Sequence, residues 1–514
     1  MFIQKAVLAC LTLGAWVASA AAVSTSAPVN VTTCNGKQYI YNQLAGYGFV
    51  PGNATDKYGD TISIGSSITI ESWHKVGRSY EALLWGLPDR GWNTNGTVNF
   101  IPRIHKYYIK FTPNPCATLA HPSGPNLEFA YLDTILFRGP DGTPCTGLDA
   151  DATGGLDYDG FPTLPAATYT GDGFGGVGPG GKRVTLDCEG LVITDDGSFW
   201  ISDEYGPYIY HFDATGLMIG AVRPPDAILP LRNGTVSFSA DSPPLYDPSL
   251  EPTPTDPTQG RQNNQGFEGL TISPDGKTLY TLLQSAAEQE GGAGKTTRRD
   301  TRFLKYNLEG PAHAPTPVYA GEWVVPLPTY INEDGKVRVA AQSEVHYISD
   351  TQFMFLPRDS SAGRAQDSSE SLYRHVDIFD ISGATNVIGT AHDSFNTSIA
   401  STVGVLNSDI TAATVCPFLD FNLNSQLGRF GLHNGGDQDA ALLNEKWESI
   451  ALLPVSEGSD EYYLFSASDD DFITQDGWMD GGKIAYADAS GFSLDNQVLV
   501  FKVTLPKGST PLTR

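Results

Sequence analysis

The chain has 514 residues, a formal net charge of −26 and 40% apolar residues, with 55 Gly and 34 Pro. An acid excess of this size excludes nucleic acid and anionic membrane surfaces as partners, because phosphate groups are held by Lys and Arg. It suits divalent cations and, equally, plain solubility, while the Gly and Pro content argues for many turns and against long helices.

Residues 1–20 carry Lys5, an apolar centre from Ala6 to Val17 and the small-residue string Ala18-Ser19-Ala20. That is the pattern of a cleavable secretory signal peptide. No later run is long and apolar enough for a membrane helix, so a soluble, secreted protein with no membrane partner is expected. Sequons at Asn30, Asn53, Asn95, Asn233 and Asn396 mark expected glycosylation sites. Loss of the signal peptide leaves Cys34, Cys116, Cys145, Cys188 and Cys416, enough for up to two disulfides and one free thiol, with the pairing open.

In chain order, residues 21–37 are small and polar and read as a flexible segment, and residues 38–50 (QYIYNQLAGYGFV) have strand character. Four strand-like runs follow: SITIESW, SYEALLWGLPDRGW, RIHKYYIKF and LEFAYLDTILF. Residues 139–183 form a Gly/Pro/Asp-rich loop. Within it, Gly173, Gly175 and Gly178 match G-x-G-x-x-G, but no helix pattern follows, so a dinucleotide site is not expected. The string DADATGGLDYDG resembles half a calcium loop, with Asp149, Asp151, Thr153 and Asp157 as oxygen ligands, yet Gly160 stands where the closing Glu belongs; an acidic surface loop is the competing reading.

Residues 186–220 then form a complete unit. Glu189-Gly190 opens an apolar run, Asp195-Asp196-Gly197 turns it, and the return strand closes on Asp203-Glu204. Because hairpin strands run antiparallel, Glu189 and the Asp203/Glu204 pair lie at one end. The unit recurs as GFEGLTISPDGKTLYTLLQSA with Glu268 and Gln284, as QSEVHYISDTQFMFLPRDS with Glu344 and Arg358, and as EKWESIALLPV and EYYLFSASDDDF with Glu448, Asp469 and Asp471. In the earlier unit Glu71, Asp89 and Arg90 take the same places. RHVDIFDIS and ATNVIGT read as outer strands of the fourth copy, and residues 392–434 as an insertion or a degenerate blade. The last copy lacks a fourth strand, which residues 38–50 could supply by closing a ring and removing the sheet edge.

Recurrence of this kind predicts one all-β domain over residues 38–508, a β-propeller of five or six four-stranded blades with long loop insertions, followed by a tail at 509–514. Its strand-start and strand-end side chains converge on one mouth of the channel. The candidate catalytic set is Glu189, Asp203, Glu204, Glu268, Arg90 and Arg358; the candidate metal set is Glu71, Asp89, Glu344, Glu448, Asp469 and Asp471. Oxygen ligands without a Cys/His cluster favour Ca²⁺ or Mg²⁺, with Ca²⁺ the expected cofactor. His346, two residues after Glu344, is a candidate base or a structural histidine. The competing account of the acids is that each caps backbone N–H groups or pairs with an arginine to lock the blades.

The strings EGLVITDDGSFWISDEYGPYIYHFDATG, EALLWGLPDRGWN and GFEGLTISPDGKTLYTLLQSA together resemble the esterase-like phytase family of secreted phytase-like propellers, over about Gly46 to Leu505. The resemblance implies phosphoester hydrolysis, with Glu71, Asp89, Glu189, Asp203, Glu204, Glu268 and Glu344 matching the family's acidic pattern. The expected partner is a small-molecule ester, phosphorylated esters included, acted on by a monomer. The alternatives are a calcium-dependent lactonase or arylesterase, and a non-catalytic extracellular binding propeller.

Overall fold

The computed structural model describes residues 27–311 and 315–513, so the signal peptide expected at residues 1–20 lies outside the described residues. Five antiparallel sheets of four or five strands follow one another along the chain. Blade 1 comprises Ser67–Val76, Ser79–Leu87, Arg103–Phe111 and Leu127–Leu136, and blade 2 comprises Cys188–Ile193, Phe199–Asp203, Ile209–Phe212 and Met218–Val222. Blade 3 is Phe267–Ile272, Thr278–Leu283, Asp300–Glu309 and Thr316–Pro326; blade 4 is Ala341–Tyr347, Gln352–Arg358, His375–Asp380 and Thr414–Asp420. Blade 5 joins the two ends of the domain: Ala451–Pro454, Glu461–Ala467 and Asn496–Thr504 are completed by Lys37–Val50 and then Asn30–Cys34. The expected closing strand is therefore present, with Tyr41 opposite Val503. The ring has five blades, and no sixth forms among the described residues.

Period-two alternation builds the ring, because each strand presents one set of side chains to the preceding blade and the other to the next. In blade 4, Phe353 and Phe355 pack toward Tyr280 and Phe303 of blade 3, whereas Met354 and Leu356 pack toward Leu452 and Phe501 of blade 5. In blade 2, Leu191 and Ile201 face blade 1 while Val192 and Trp200 face blade 3. A fifth apolar layer, with Ile68 and Leu84 against Phe465 and Val500, seals blade 5 to blade 1. Each such buried aromatic or aliphatic side chain contributes about 1.5–3 kcal/mol, so the blades hold one another without long helices.

Three expectations change. ATNVIGT is not the outer strand of blade 4: only Val387 of its apolar residues is buried, and it packs with Val324 of blade 3, while the strand itself is Thr414–Asp420. Residues 30–34, expected in a flexible segment, form the outermost strand of blade 5, and Cys34 is joined to Cys416 on the outer strand of blade 4. Among the described residues this is one disulfide, within the expected limit of two, and three thiols are free where one was expected: Cys116 exposed, Cys145 and Cys188 buried. All five sequon asparagines are exposed.

Strand parity separates the two mouths of the channel. In a four-stranded antiparallel blade, the connection between blades and the loop between the second and third strands must emerge at one end, and the first hairpin turn at the other. The long segments 88–102, 137–187, 223–266, 284–299 and 468–495 therefore crowd one mouth. The opposite mouth carries tight turns such as 194–198 and 273–277. Residues 510–513 also enter there, where Thr510 and Leu512 donate backbone hydrogen bonds to Ile348 and Tyr347 of blade 4 at 3.1 Å each.

Candidate functional site

The Glu-Gly pairs of blades 2 and 3 have two separate jobs. Glu189-Gly190 stands opposite the single residue Ser202, and Glu268 is the extra residue between the pairs Phe267–Leu283 and Gly269–Leu282. These are β-bulges, which re-aim a side chain out of the alternating pattern. The bulge turns the glutamate to the loop-bearing mouth. The glycine lets neighbouring inner strands touch: a Cβ at Gly190 would lie 2.7 Å from the Glu268 carbonyl oxygen, and one at Gly269 would lie 2.6 Å from the Val345 nitrogen. Glu344 sits on a third bulge, between Gln342 and Val345.

At this mouth the carboxylates gather in two trios. Asp187, Glu189 and Glu204 form one and Asp89, Asp469 and Asp471 the other, each with an oxygen from every member within 4.8 Å of the rest. Oxygens bound to one Ca²⁺ at about 2.3–2.6 Å lie no more than about 5 Å apart, so either spacing fits a common cation. In the first trio Arg90 meets Asp187 at 3.0 Å. Glu189 is 5% exposed, and among the described residues buried Oε1 of Glu204 has no hydrogen-bond partner. Glu268 is held through one oxygen by Gln284, and its buried Oε2 is likewise unpartnered.

Unrelieved burial shows in the titration of these groups. Desolvation, then Glu268 and Glu204, push the Glu189 carboxyl well above the ordinary range, and desolvation followed by Asp187 raises Glu204 to about 8. Glu268 is raised by desolvation and by Glu204 and Glu448. In the second trio burial and Asp471 lift Asp469 to about 6, and Asp89 is raised by burial and Asp469. Asp471 has φ of 51°, a left-handed conformation uncommon outside glycine and found where a site fixes a side chain.

The cations flank the acids. Arg358 ion-pairs with Glu448, Lys446 with Asp471, and Arg90 hydrogen-bonds Asn264. A cleft of about 220 Å³ opens beside them between blades 3 and 4, lined by Asn264, Gln284, Lys295, Arg298, Arg358 and Lys446. It continues past Tyr330 and Arg338 into a hollow of about 290 Å³. Arg298 touches Gln265 through one nitrogen, has a buried unpartnered Nε, and meets no carboxylate among the described residues.

Of the expected site residues, Glu189, Glu204, Glu268, Arg90, Arg358, Asp89, Glu448, Asp469 and Asp471 come together at this mouth. Three do not. Glu71 lies at the opposite mouth, because Ser67 and not Glu71 pairs with Leu87 at the head of the strand; there it binds Lys106 at 2.7 Å and the Trp85 indole at 2.8 Å. Glu344 lies one layer down the channel, accepting hydrogen bonds from Ser67 Oγ at 2.8 Å, Val345 N at 2.8 Å and Leu270 N at 3.2 Å. Burial raises it to about 8. Asp203 is wholly buried behind the ring, its oxygens taken by the backbone of Asp187, Tyr205 and Gly206 and by the Tyr210 hydroxyl.

His346 faces the Leu512 carbonyl at 3.0 Å, and burial lowers it to about 4, so it is a neutral channel residue. The half-calcium loop does not assemble: Asp149 accepts from Ser239, Ala240 and Ser242, Asp151 from Thr168, and Asp157 from Thr163. Asp187, Lys446 and Arg298 were not expected. The first two stand two residues before Glu189 and Glu448, a shared offset that could have marked them.

Among solved structures, the chain is similar to a luciferin-regenerating enzyme at 10% identity, covering 89% of this chain and 95% of that one with a TM-score of 0.27. It is also similar to a putative 6-phosphogluconolactonase from Bacteroides fragilis at 13% identity, covering 64% and 78% with a TM-score of 0.20. At those scores the likeness adds nothing to the fold read from the sheets. A protein of Arthroderma benhamiae named "Uncharacterized secreted protein" is 52% identical over 484 residues, covering 91% of this chain and 94% of that protein. The profile of the phytase-like family, described as esterase-like activity of phytase, matches residues 126–472. The match runs from the outer strand of blade 1 through Asp187, Glu189 and Glu204 to Asp469 and Asp471, with Asp89 ahead of it, and the chain belongs to that family.

Proposed function

We propose that the protein is a secreted hydrolase of phosphoric esters that works with a divalent cation, Ca²⁺ in the first instance, at the loop-bearing mouth. The observation that carries this reading is a pair of buried, unpartnered carboxylate oxygens, Glu204 Oε1 and Glu268 Oε2, next to a cleft whose Arg298 has no carboxylate. Unpaired buried charge costs several kcal/mol unless a ligand completes it. Here one end of the site lacks a cation and the other an anion, as a metal ion and a phosphate group would supply.

Asp187, Glu189 and Glu204 would hold the ion, which when bound supplies positive charge opposite the phosphoryl oxygens. Arg298, Lys295 and Arg358 orient the anionic group along the cleft, where guanidinium groups match phosphate geometry. Glu268, aimed by Gln284 and shifted upward from the ordinary carboxylate range, takes the proton from the attacking water. Membership of the phytase-like family supports ester hydrolysis. The name of the Arthroderma relative supports export. The exposed sequons suit a glycoprotein.

The test is a side-by-side assay of phosphate mono- and diesters and lactones with chelated and calcium-restored protein. The reading expects phosphoester turnover that falls on chelation and returns with Ca²⁺. Turnover indifferent to chelation, or of lactones alone, would contradict it.

A further inference from the structure

The two trios look alike in composition but differ in what already neutralises them. Lys446 Nζ is ion-paired with Asp471, which lies with Asp89 and Asp469 in a group whose oxygens are within 4.8 Å of one another. Asp89 and Asp469 further spend oxygens on the protein: Asp89 accepts from Gly91 N at 2.9 Å and Asn93 at 3.2 Å, and Asp469 from Ser63 at 2.9 Å and Ser66 at 3.1 Å. The trio of Asp187, Glu189 and Glu204 likewise has one ion pair, Arg90 on Asp187, and differs in the oxygens it leaves bare. Its Glu204 is 1% exposed and leaves Oε1 bare, and the neighbouring Glu268, 3% exposed, leaves Oε2 bare.

We infer that the mouth is built for one divalent cation and not two: Asp187, Glu189 and Glu204 take the ion, while the Lys446 ammonium is the permanent cation of Asp89, Asp469 and Asp471. This rests on the reading above that the mouth binds a divalent cation. An ammonium paired with one member of so tight a trio opposes a second cation by charge and by place, and removing it would leave a spacing that fits one. Lys446 is then a positioning residue that sets the metal count and fixes the wall of the cleft.

Equilibrium dialysis of the mature, full-length protein against Mn²⁺ or Ca²⁺ tests this. One ion per chain is expected for the wild type and for Asp469→Asn, binding weakened at least about 100-fold for Glu204→Gln, and two ions for Lys446→Met. Two ions in the wild type, a lower count for Asp469→Asn, or a folded Lys446→Met that still binds one would overturn the inference. If Lys446→Met does not fold, the counts for the wild type and Asp469→Asn decide it. No ion in the wild type would overturn the metal reading as well; calcium-restored turnover with two ions bound would overturn only this inference.

Discussion

The two mouths of the channel are made from the same inner strands and carry the same acidic residue types, yet their carboxylates are in opposite states. At the turn-bearing mouth the acids are satisfied. Burial alone would raise Glu71, but hydrogen bonds from Lys106 and Trp85 outweigh it and hold the group below the ordinary range. Asp275 is lowered mainly by the Ser273 hydroxyl that completes its turn. At the loop-bearing mouth Glu189, Glu204 and Glu268 are buried and raised by desolvation and by neighbouring carboxylates, and Glu204 and Glu268 each leave one oxygen bare. An acid that finds its partner inside the chain serves the fold; one left without a partner at such cost is where the proposed ion is placed.

Substitution should separate the two mouths most sharply. Glu204→Gln is expected to lower phosphoester kcat/KM by about 100-fold through loss of the ion, while Glu71→Gln, which loses a half-exposed pair, should stay within about twofold and cost under about 1 kcal/mol. Steady-state assays with parallel melts check both. Equal losses at both positions would erase the comparison.

The smaller effect is in pH. A folded-state pKa raised to about 8, as at Glu204, means that the ion-free folded protein binds more protons than the unfolded chain. Ion-free stability should therefore be greatest in acid and fall as pH rises through the ordinary carboxylate range to about 8. An ion that replaces those protons binds more tightly across the same window. Glu71 and Asp275 act in the other direction, their contribution being present above the ordinary carboxylate pKa and lost as pH falls. Melting with and without Ca²⁺ at pH 6 and 8.5 should show an ion-dependent Tm gap that widens at the higher pH, reaching roughly 3 °C at a hundredfold excess over Kd. A gap that narrows would break the account.

The propeller was legible because its evidence is repeated: apolar alternation, Asp-Gly turns and Glu-Gly starts recur, and the missing fourth strand of the last unit pointed to residues 38–50. The site was legible where the recurring strand starts and strand ends carry acids and arginines, as Glu189, Glu268, Arg90, Asp89, Asp469 and Asp471 do, but the same rule misplaced Glu344 and Glu71. Glu71 also lies on a bulge, between Ile70 and Ser72, but in the body of a ten-residue strand; its apolar surroundings read alike from either end, and only the register with Leu87 places it. Asp203 and Glu204 are neighbours that differ in which backbone amides reach them, a property of the folded loop alone. Arg298 and Lys295 lie in a loop without periodicity, and only the closure of blade 3 on blade 4 brings them to the acids.

The most direct measurement is an anomalous difference map from a crystal equilibrated with Mn²⁺. The account predicts one strong peak among Asp187, Glu189 and Glu204 and none at Glu71. An empty acid mouth, or a peak only among Asp89, Asp469 and Asp471, would contradict it.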